Sequence, residues 1–329
     1  MPTFTVFKGS ESGRVYKAEA TRELKGDQVY IRVTASGLCG TDLQYRKADI
    51  ALGHEGVGVV EELGPEVKYL KKGDRVGWGY EHDSCGHCEQ CLKGAETYCP
   101  ERAMYAQADT DQGSFATGAV WREAFLFPIP DELSDEEAAP LMCGGITVFN
   151  ALHRYNLAPT ETVAVLGVGG LGHMAVQFAA KSGCNVVALS GSDSKKDEAA
   201  KLGAHEFIAM KGKKKLETSR LFDRLLVTIP SKPDWPILLP LLKPGASIHL
   251  LGVTDGNFEI PYMPLLLNGI TVQGSVIGSR YIHRRMLAFA ALHGIKPVLQ
   301  KFKMDEESIN DAMDRLEKGD IHFRGVFVN

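Results

Sequence analysis

Four cysteines, spaced Cys85-x-x-Cys88-x-x-Cys91-x7-Cys99, constrain the fold of this chain more than any other feature. Four thiolates at these spacings close a tetrahedral shell around Zn²⁺ and leave no position for a substrate, so such a site is structural. It ties down a loop whose own residues (Asp83, Ser84, Gly86, Glu89, Gln90, Lys93, Gly94) are too polar to make a core. His82 and His87 break the thiol spacing and are read as bystanders. The chain holds 7 cysteines, an odd number, and four of them fall within this one loop. In a long chain without an export signal that pattern means metal rather than disulfides. The N-terminal stretch mixes Lys8, Glu11 and Arg14 with small residues and has no apolar block, and no Asn-x-Ser/Thr site occurs. The expected location is cytoplasmic.

A length of 329 residues, 44% of them apolar, suits two domains that each bury a core. Lys plus Arg number 37 against 41 Asp plus Glu, for a net charge of −4. That balance excludes intrinsic disorder and speaks against a nucleic-acid binder. The one basic run, Lys211-Gly212-Lys213-Lys214-Lys215, lacks aromatic neighbours and reads as a solvated loop. The stretch Val163 to Ala180 is nearly uncharged, but glycines, His173 and Gln177 break it into strand, turn and helix, so it is not a membrane span.

Organisation changes along the chain. The first 130 residues are rich in glycine and short β-branched runs, with strands expected at Gln28–Thr34, Gly56–Glu61 and Asp74–Gly77. Ser134, followed by Glu137, marks a helix start. Beyond Pro159 strands and helices alternate. Strands are expected at Thr162–Leu166, Val186–Leu189, Leu225–Ile229, Ser247–Leu251 and Ile270–Val276. Helices are expected at Leu171–Ser182 and Lys195–Leu202, closed by Gly183 and Gly203. Such alternation implies a parallel sheet covered on both faces. A helix over Ser308–Lys318 precedes a last strand, Phe323–Val328.

Gly167-Val168-Gly169-Gly170-Leu171-Gly172 fits G-x-G-x-x-G between a strand and a helix, the context that makes it a dinucleotide site. Gly167 permits the tight turn, Gly169 lets a pyrophosphate approach the backbone, and Gly172 lets helix pack on strand. Gly170 and Leu171 complete the loop, and the helix N-terminus offers N–H groups to the phosphate. An NAD site usually ends its second strand in an acid. Here Ser190-Gly191-Ser192-Asp193-Ser194-Lys195 follows instead. The small hydroxyl residues Ser190 and Ser192 leave room for a 2′-phosphate that Lys195 or Lys196 neutralises, favouring NADP. Asp193 keeps an NAD ribose contact open.

Three cysteines remain: Cys39, Cys143 and Cys184. Composition alone does not bring Cys39, His54 and Cys143 together. The motifs Gly-Leu-Cys39-Gly-Thr-Asp, Gly-His54-Glu-Gly-Val-Gly, the four-cysteine lobe and the glycine turn nevertheless follow one another in a known order. In this the sequence resembles the zinc-dependent medium-chain alcohol dehydrogenases, nearly end to end. The segment Leu141-Met142-Cys143-Gly-Gly-Ile-Thr-Val and the serine–lysine run look most like the cinnamyl-alcohol-dehydrogenase-type, NADP-using branch.

The resemblance implies an α/β chain with two domains. A GroES-like mostly-β catalytic domain would cover 1–148 and 293–329, with the structural zinc lobe at 85–99. A Rossmann domain with a doubly wound parallel sheet would cover 149–292. It further implies that Cys39, His54 and Cys143 hold a catalytic zinc whose fourth position stays open. Two zinc ions per chain follow. Glu55 would ligate transiently, Asp42 would orient the imidazole, and Thr41 would touch substrate oxygen and start a proton relay. Many members place a His three positions after that Thr; here Gln44 stands there and cannot titrate. By family position Thr147, Leu251, Val253 and Ser275 meet the nicotinamide side and Arg324 a phosphate. Cys184 matches nothing and reads as core, and Trp78, Tyr45 and Trp121 are candidates for either an apolar pocket or core.

The resulting expectation is an NADP(H)-dependent alcohol dehydrogenase or aldehyde reductase acting on a small molecule, assembled as a dimer or tetramer. Two alternatives stand beside it. One is an NAD-dependent polyol dehydrogenase, whose relatives commonly carry Glu where Cys143 stands. The other is a catalytically silent zinc-bound nucleotide sensor.

Overall fold

Val, Ile, Thr and Tyr alternate with polar residues through the first third of the chain, a pattern suited to half-buried strands. A computed structural model describes residues 1–254 and 256–329. It places there β1 (Thr3–Lys8), β2 (Tyr16–Thr21), β3 (Gln28–Leu38), β4 (Gly56–Leu63) and β5 (Arg75–Trp78). They are followed by β6 (Glu81–Asp83), β7 (Ala103–Met104), β8 (Gly118–Arg122) and β9 (Phe127–Pro128). The middle of the chain adds β10 (Thr162–Leu166), β11 (Asn185–Ser190), β12 (Glu206–Ala209), β13 (Phe222–Val227), β14 (Leu242–Leu250) and β15 (Thr271–Gly274). The last two strands are β16 (Leu299–Lys303) and β17 (Arg324–Val328).

These strands fall into two units, one made of Met1–Ile146 and Ile277–Asn329, the other of Thr147–Val276. The expected boundaries were 148/149 and 292/293, so the second lies nearer the N-terminus than expected. The helix Arg280–His293 accounts for the difference. Its first residue donates its backbone N–H to the buried Glu96 carboxylate at 2.7 Å, and His283 stacks on Phe127 at 3.9 Å.

In the first unit the sheet runs β16-β17-β3-β4-β5-β9, with β8 also pairing β3. β17 lies antiparallel to β3, Gly325 opposite Leu38 and Phe327 opposite Ser36, so the chain end completes the sheet that its beginning started. One core holds Val29, Ile31, Trp78 and Trp121; another joins Phe7, Leu38, Phe115 and Phe327. Both tryptophans are therefore core residues rather than pocket walls. β6 and β7 pair with each other, Glu81 opposite Met104, and form the base from which the cysteine loop projects. The Ser134 cap is present, its hydroxyl accepting from the Glu137 amide while that carboxylate accepts from the Ser134 amide.

The second unit is a six-stranded sheet of order β12-β11-β10-β13-β14-β15, every neighbouring pair parallel. Strand order reverses between β10 and β13, and in open parallel sheets a ligand binds at the carboxyl end of such a switch point. β10 is buried along its whole length, as its unbroken Thr-Val-Ala-Val-Leu sequence requires. Phe222, Leu225, Trp235, Leu238 and Ile248 fill the core on one face. Helices Gly172–Lys181 and Lys196–Lys201 follow β10 and β11 and end before Gly183 and Gly203, both at positive φ. Cys184 is buried, as expected of a core residue. No helix among the described residues is long and apolar enough to cross a membrane.

Candidate active site

Three local devices in the first unit deliver donor atoms to one place. β3 ends at Leu38, and Cys39 then starts the short helix Gly40–Tyr45. Its amide donates to Asp42 Oδ2 at 2.9 Å, which closes the helix start. His54 and Glu55 stand immediately before β4. Cys143 ends the 3₁₀ turn Ala139–Met142. The ligand atoms of Cys39, His54, Glu55 and Cys143 all lie within 4.8 Å of one another. The sequence-predicted triad of two sulfurs and an imidazole thus converges.

Electrostatics at this cluster are those of a metal-binding donor set. His54 Nδ1 donates to Asp42 Oδ1 at 2.9 Å, both residues being buried. That bond orients the ring and leaves Nε2 to face the sulfurs. Nε2 is buried and makes no well-formed hydrogen bond among the described residues, its electrostatic neighbour being Cys39. A buried ring nitrogen in that position is costly unless something binds it. The hydrogen bond from Cys143 holds the Cys39 thiol well below its ordinary range, and the Cys143 thiol rises correspondingly. Burial pushes the His54 imidazole down, but Asp42 and Cys39 outweigh it and leave the group well above a usual histidine. Two cysteine sulfurs, an imidazole and a carboxyl group converging within 4.8 Å suit Zn²⁺.

Glu55 is fully buried, and burial raises its carboxyl to about 7 despite its partner Arg324. Arg324 Nη2 donates to Glu55 Oε2, and the Gly144 amide lies 3.3 Å from Oε1. The Arg324 guanidinium is buried and engages Glu55 through Nη2, while its Nε has no partner among the described residues. Thr41 Oγ1 lies 3.7 Å from Cys39 Sγ, on the same short helix, and Gln44 is exposed.

The cysteine loop also assembles. Cys99 lies 3.5 Å from Cys85, Cys88 3.6 Å from Cys91, and all four sulfurs are within 4.8 Å of one another. All seven cysteines are free thiols. Backbone amides of His87 and Cys88 draw the Cys85 thiol down to about 6. His82 is buried with Nδ1 3.2 Å from Asp109, away from the thiols. His87 comes closer, within 4.8 Å of Cys85 and Glu101, but its Nδ1 is bonded to the Cys85 carbonyl at 2.8 Å.

In the second unit the turn after β10 behaves as its glycines predict. Gly167 adopts φ +97°, and a Cβ on Gly172 would sit 1.8 Å from the Gly167 carbonyl oxygen. A Cβ on Gly169 would meet nothing within 4 Å, which leaves the backbone open on that side. Leu171 caps the helix with its backbone, without a side-chain hydrogen bond. Sequence reasoning missed Thr228, whose hydroxyl lies 2.9 Å from both the Leu166 and Gly167 carbonyls and shares its one proton between them, pinning the turn. Its only signal was its place just beyond an apolar strand. Ser190 ends β11, Ser192 and Ser194 hydroxyls lie 2.9 Å apart, and Lys195 Nζ donates to the Val168 carbonyl at 2.9 Å. The serine–lysine segment and the glycine turn are therefore physically joined. Of the remaining expected contacts, Thr147 and Leu251 are buried, Val253 is exposed, and Ser275 accepts from Asn150 at 3.0 Å.

Residues 25–131 match the alcohol dehydrogenase GroES-like domain family, and residues 170–291 match the zinc-binding dehydrogenase family. The chain belongs to the zinc-dependent medium-chain alcohol dehydrogenases. It lies on their cinnamyl-alcohol-dehydrogenase-like branch and is an oxidoreductase acting on CH–OH groups. An alcohol dehydrogenase of Geobacillus stearothermophilus is 38% identical over 314 residues, 91% of each chain. A cinnamyl alcohol dehydrogenase structure from Sorghum bicolor superposes with a TM-score of 0.90 at 32% identity, covering 99% of this chain and 98% of its own. One from Helicobacter pylori, solved with NADP(H), gives a TM-score of 0.90 at 26% identity, with coverage of 99% and 98%.

Proposed function

We propose that this alcohol dehydrogenase interconverts alcohols and aldehydes with NADP(H), using one zinc at Cys39, His54 and Cys143 and a second in the cysteine lobe. The convergence of His54 with two sulfurs within 4.8 Å, its Nε2 buried without a well-formed hydrogen bond, carries the reading. A bound zinc there supplies Lewis acidity toward the substrate oxygen, and the nicotinamide supplies or accepts hydride. The protein's own residues do the rest. Asp42 holds the imidazole in the right tautomer. Glu55, gripped by Arg324, is a reserve donor at the cluster. The Thr41 hydroxyl, beside Cys39, takes the proton from an alcohol or returns it. Gln44 cannot pass that proton on by titrating, so the final handover to solvent needs a group other than Gln44.

NADP over NAD rests on the segment after β11. Ser190, Gly191 and Ser192 present no carboxylate to repel a 2′-phosphate, and Lys195 is tethered to the glycine turn beside them. The solved relative that holds NADP(H) supports the same choice. Reducing cofactor in a reducing compartment favours aldehyde reduction. Gly191 has open space around its absent Cβ, so Gly191→Asp adds a carboxylate without a clash. Two like charges a few ångströms apart at a surface cost roughly 1–4 kcal/mol, which lowers NADPH efficiency about 5- to 1,000-fold while NADH is spared. Rates with both cofactors over an aldehyde panel, with metal analysis giving about two zinc per chain, check the reading. An unchanged NADPH/NADH ratio refutes the cofactor choice, and no turnover on any carbonyl favours the silent sensor.

The proposed homo-oligomer has a surface to form on. β15 is an open sheet edge, and Tyr262, Met263, Leu266 and Leu267 are exposed on the neighbouring helix Tyr262–Asn268. Sedimentation velocity reports the assembly directly.

A further inference from the structure

Tyr105 lies just beyond β7, where the chain leaves the base of the cysteine loop, and is fully buried. Its backbone amide donates to the Tyr80 carbonyl at 2.8 Å, on the opposite side of that base. Its hydroxyl has two partners. It donates to Asp42 Oδ1 at 3.0 Å and accepts the Gly53 amide at 3.0 Å. Its ring lies 4.6 Å from that of His54, tilted by 35°, and Tyr80 meets the imidazole edge-on at 5.2 Å. One side chain therefore touches the imidazole, the carboxylate that orients it, and the peptide immediately before it.

We propose that Tyr105 is a positioning residue of the donor cluster: its hydroxyl fixes Asp42 and the Gly53 peptide together, and so aims His54 Nε2 at the two sulfurs. The physical reason is the division of labour at Asp42. Oδ2 accepts the Cys39 amide, while Oδ1 accepts both His54 Nδ1–H and the Tyr105 hydroxyl. Without the tyrosine proton Oδ1 keeps a single partner, and the carboxylate can swing about its bond to Cβ, carrying the imidazole with it. Losing the acceptor for the Gly53 amide frees the peptide from which His54 departs. Both changes misdirect one donor and leave the thiols in place. Partners of this kind, one bond removed from a ligand, typically alter metal affinity about 10- to 100-fold.

The inference rests on the cluster's being a metal site, and its test separates the two claims. Tyr105→Phe keeps the ring and removes one hydroxyl. Co²⁺ is titrated into metal-stripped protein in competition with a chelator, and the thiolate charge-transfer and d–d bands are recorded, with thermal unfolding in chelator alongside. We expect Co²⁺ affinity at Cys39, His54 and Cys143 to fall about 10-fold or more, with shifted d–d bands and an unaltered cysteine lobe. In an Asp42→Asn background the same substitution should add less than it does in wild type, because mainly the contact to the Gly53 amide is left to lose. Unchanged affinity and bands in Tyr105→Phe, or a full additional loss in the Asp42→Asn background, overturn the role of Tyr105. Equal loss of metal from both clusters, tracking a lowered Tm, does so too. Wild-type protein that takes up no Co²⁺ at this cluster overturns the metal reading and this inference together. Should the variant not fold, hydrogen exchange of the wild type decides: a slowly exchanging Gly53 amide supports the clamp, and one exchanging like an open amide refutes it.

Discussion

Cys143→Ala should lower kcat/KM for aldehyde reduction by about a thousandfold or more, with dinucleotide affinity retained. The zinc proposed at this cluster has three protein donors, and Cys143 is the one supplied from farthest along the chain. Removing it leaves Cys39 and His54, with Glu55 the remaining group within 4.8 Å. Glu55 can stand in only transiently, not as a permanent replacement for a thiolate, because Arg324 and the Gly144 amide also engage its carboxylate. Lewis-acid stabilisation of a developing alkoxide is worth several kcal/mol, and each 1.4 kcal/mol is a factor of ten in rate, which gives about three orders of magnitude. The hydrogen bond that holds Cys39 acidic also comes from Cys143, so the surviving thiol reverts toward its ordinary range and binds metal less well. The glycine turn and the serine–lysine segment lie in the other unit, built from their own strands, and should bind cofactor as before. Steady-state rates, zinc content and cofactor fluorescence measured on one preparation check all three parts. Activity within tenfold of wild type, with about one zinc lost, would remove this cluster from the chemistry.

What could be read from sequence divides by how local its cause is. The cysteine lobe and the glycine turn are each set by residues within a few positions of one another, so their spacing suffices. The strands β10, β11, β13, β14 and β15 and the helices after β10 and β11 were equally legible, because an all-apolar strand followed by a glycine-closed helix leaves few alternatives, whereas β12 and β16 were not expected. Cys39, His54 and Cys143 are different. Their meeting depends on where β3 ends, where β4 begins and where a 3₁₀ turn stops, and only the family resemblance joined them. The Arg324–Glu55 pair was missed for the same reason, since no local pattern joins residues so far apart in the chain. Tyr105 left no sequence signal at all, as a lone tyrosine in a polar loop looks like any other. The helix Arg280–His293 escaped because its buried stripe, His283, Met286, Leu287 and Ala290, has helical spacing but opens on a histidine.

Gly172→Ala is expected to damage cofactor binding through packing alone, and Gly169→Ala through access alone. A Cβ on Gly172 would sit 1.8 Å from the Gly167 carbonyl oxygen and 3.0 Å from Thr228 Oγ1. The first of these is a backbone atom, and Thr228 holds that same carbonyl by a hydrogen bond, so neither side yields by a rotamer change. The helix Gly172–Lys181 must slide away from β10, breaking the contact of its buried Met174, Ala175 and Phe178 face with the sheet. Overpacking of this kind costs about 1–3 kcal/mol, occasionally more, and a clash with fixed backbone belongs at the upper end. At about 3 kcal/mol the unit loses several degrees in Tm and the helix N-terminus, with its N–H groups, leaves the position where a pyrophosphate would meet it. NADPH affinity should drop by about 10-fold or more, since 1.4 kcal/mol is a factor of ten. At Gly169 the same added methyl meets nothing in the protein within 4 Å, so Tm should be unmoved. Any loss of NADPH affinity there comes from the methyl standing where the phosphate approaches. Differential scanning fluorimetry and fluorescence titration separate the two: a Gly172→Ala protein with wild-type Tm, or a Gly169→Ala protein with wild-type affinity, would show that the turn holds no dinucleotide in the manner proposed.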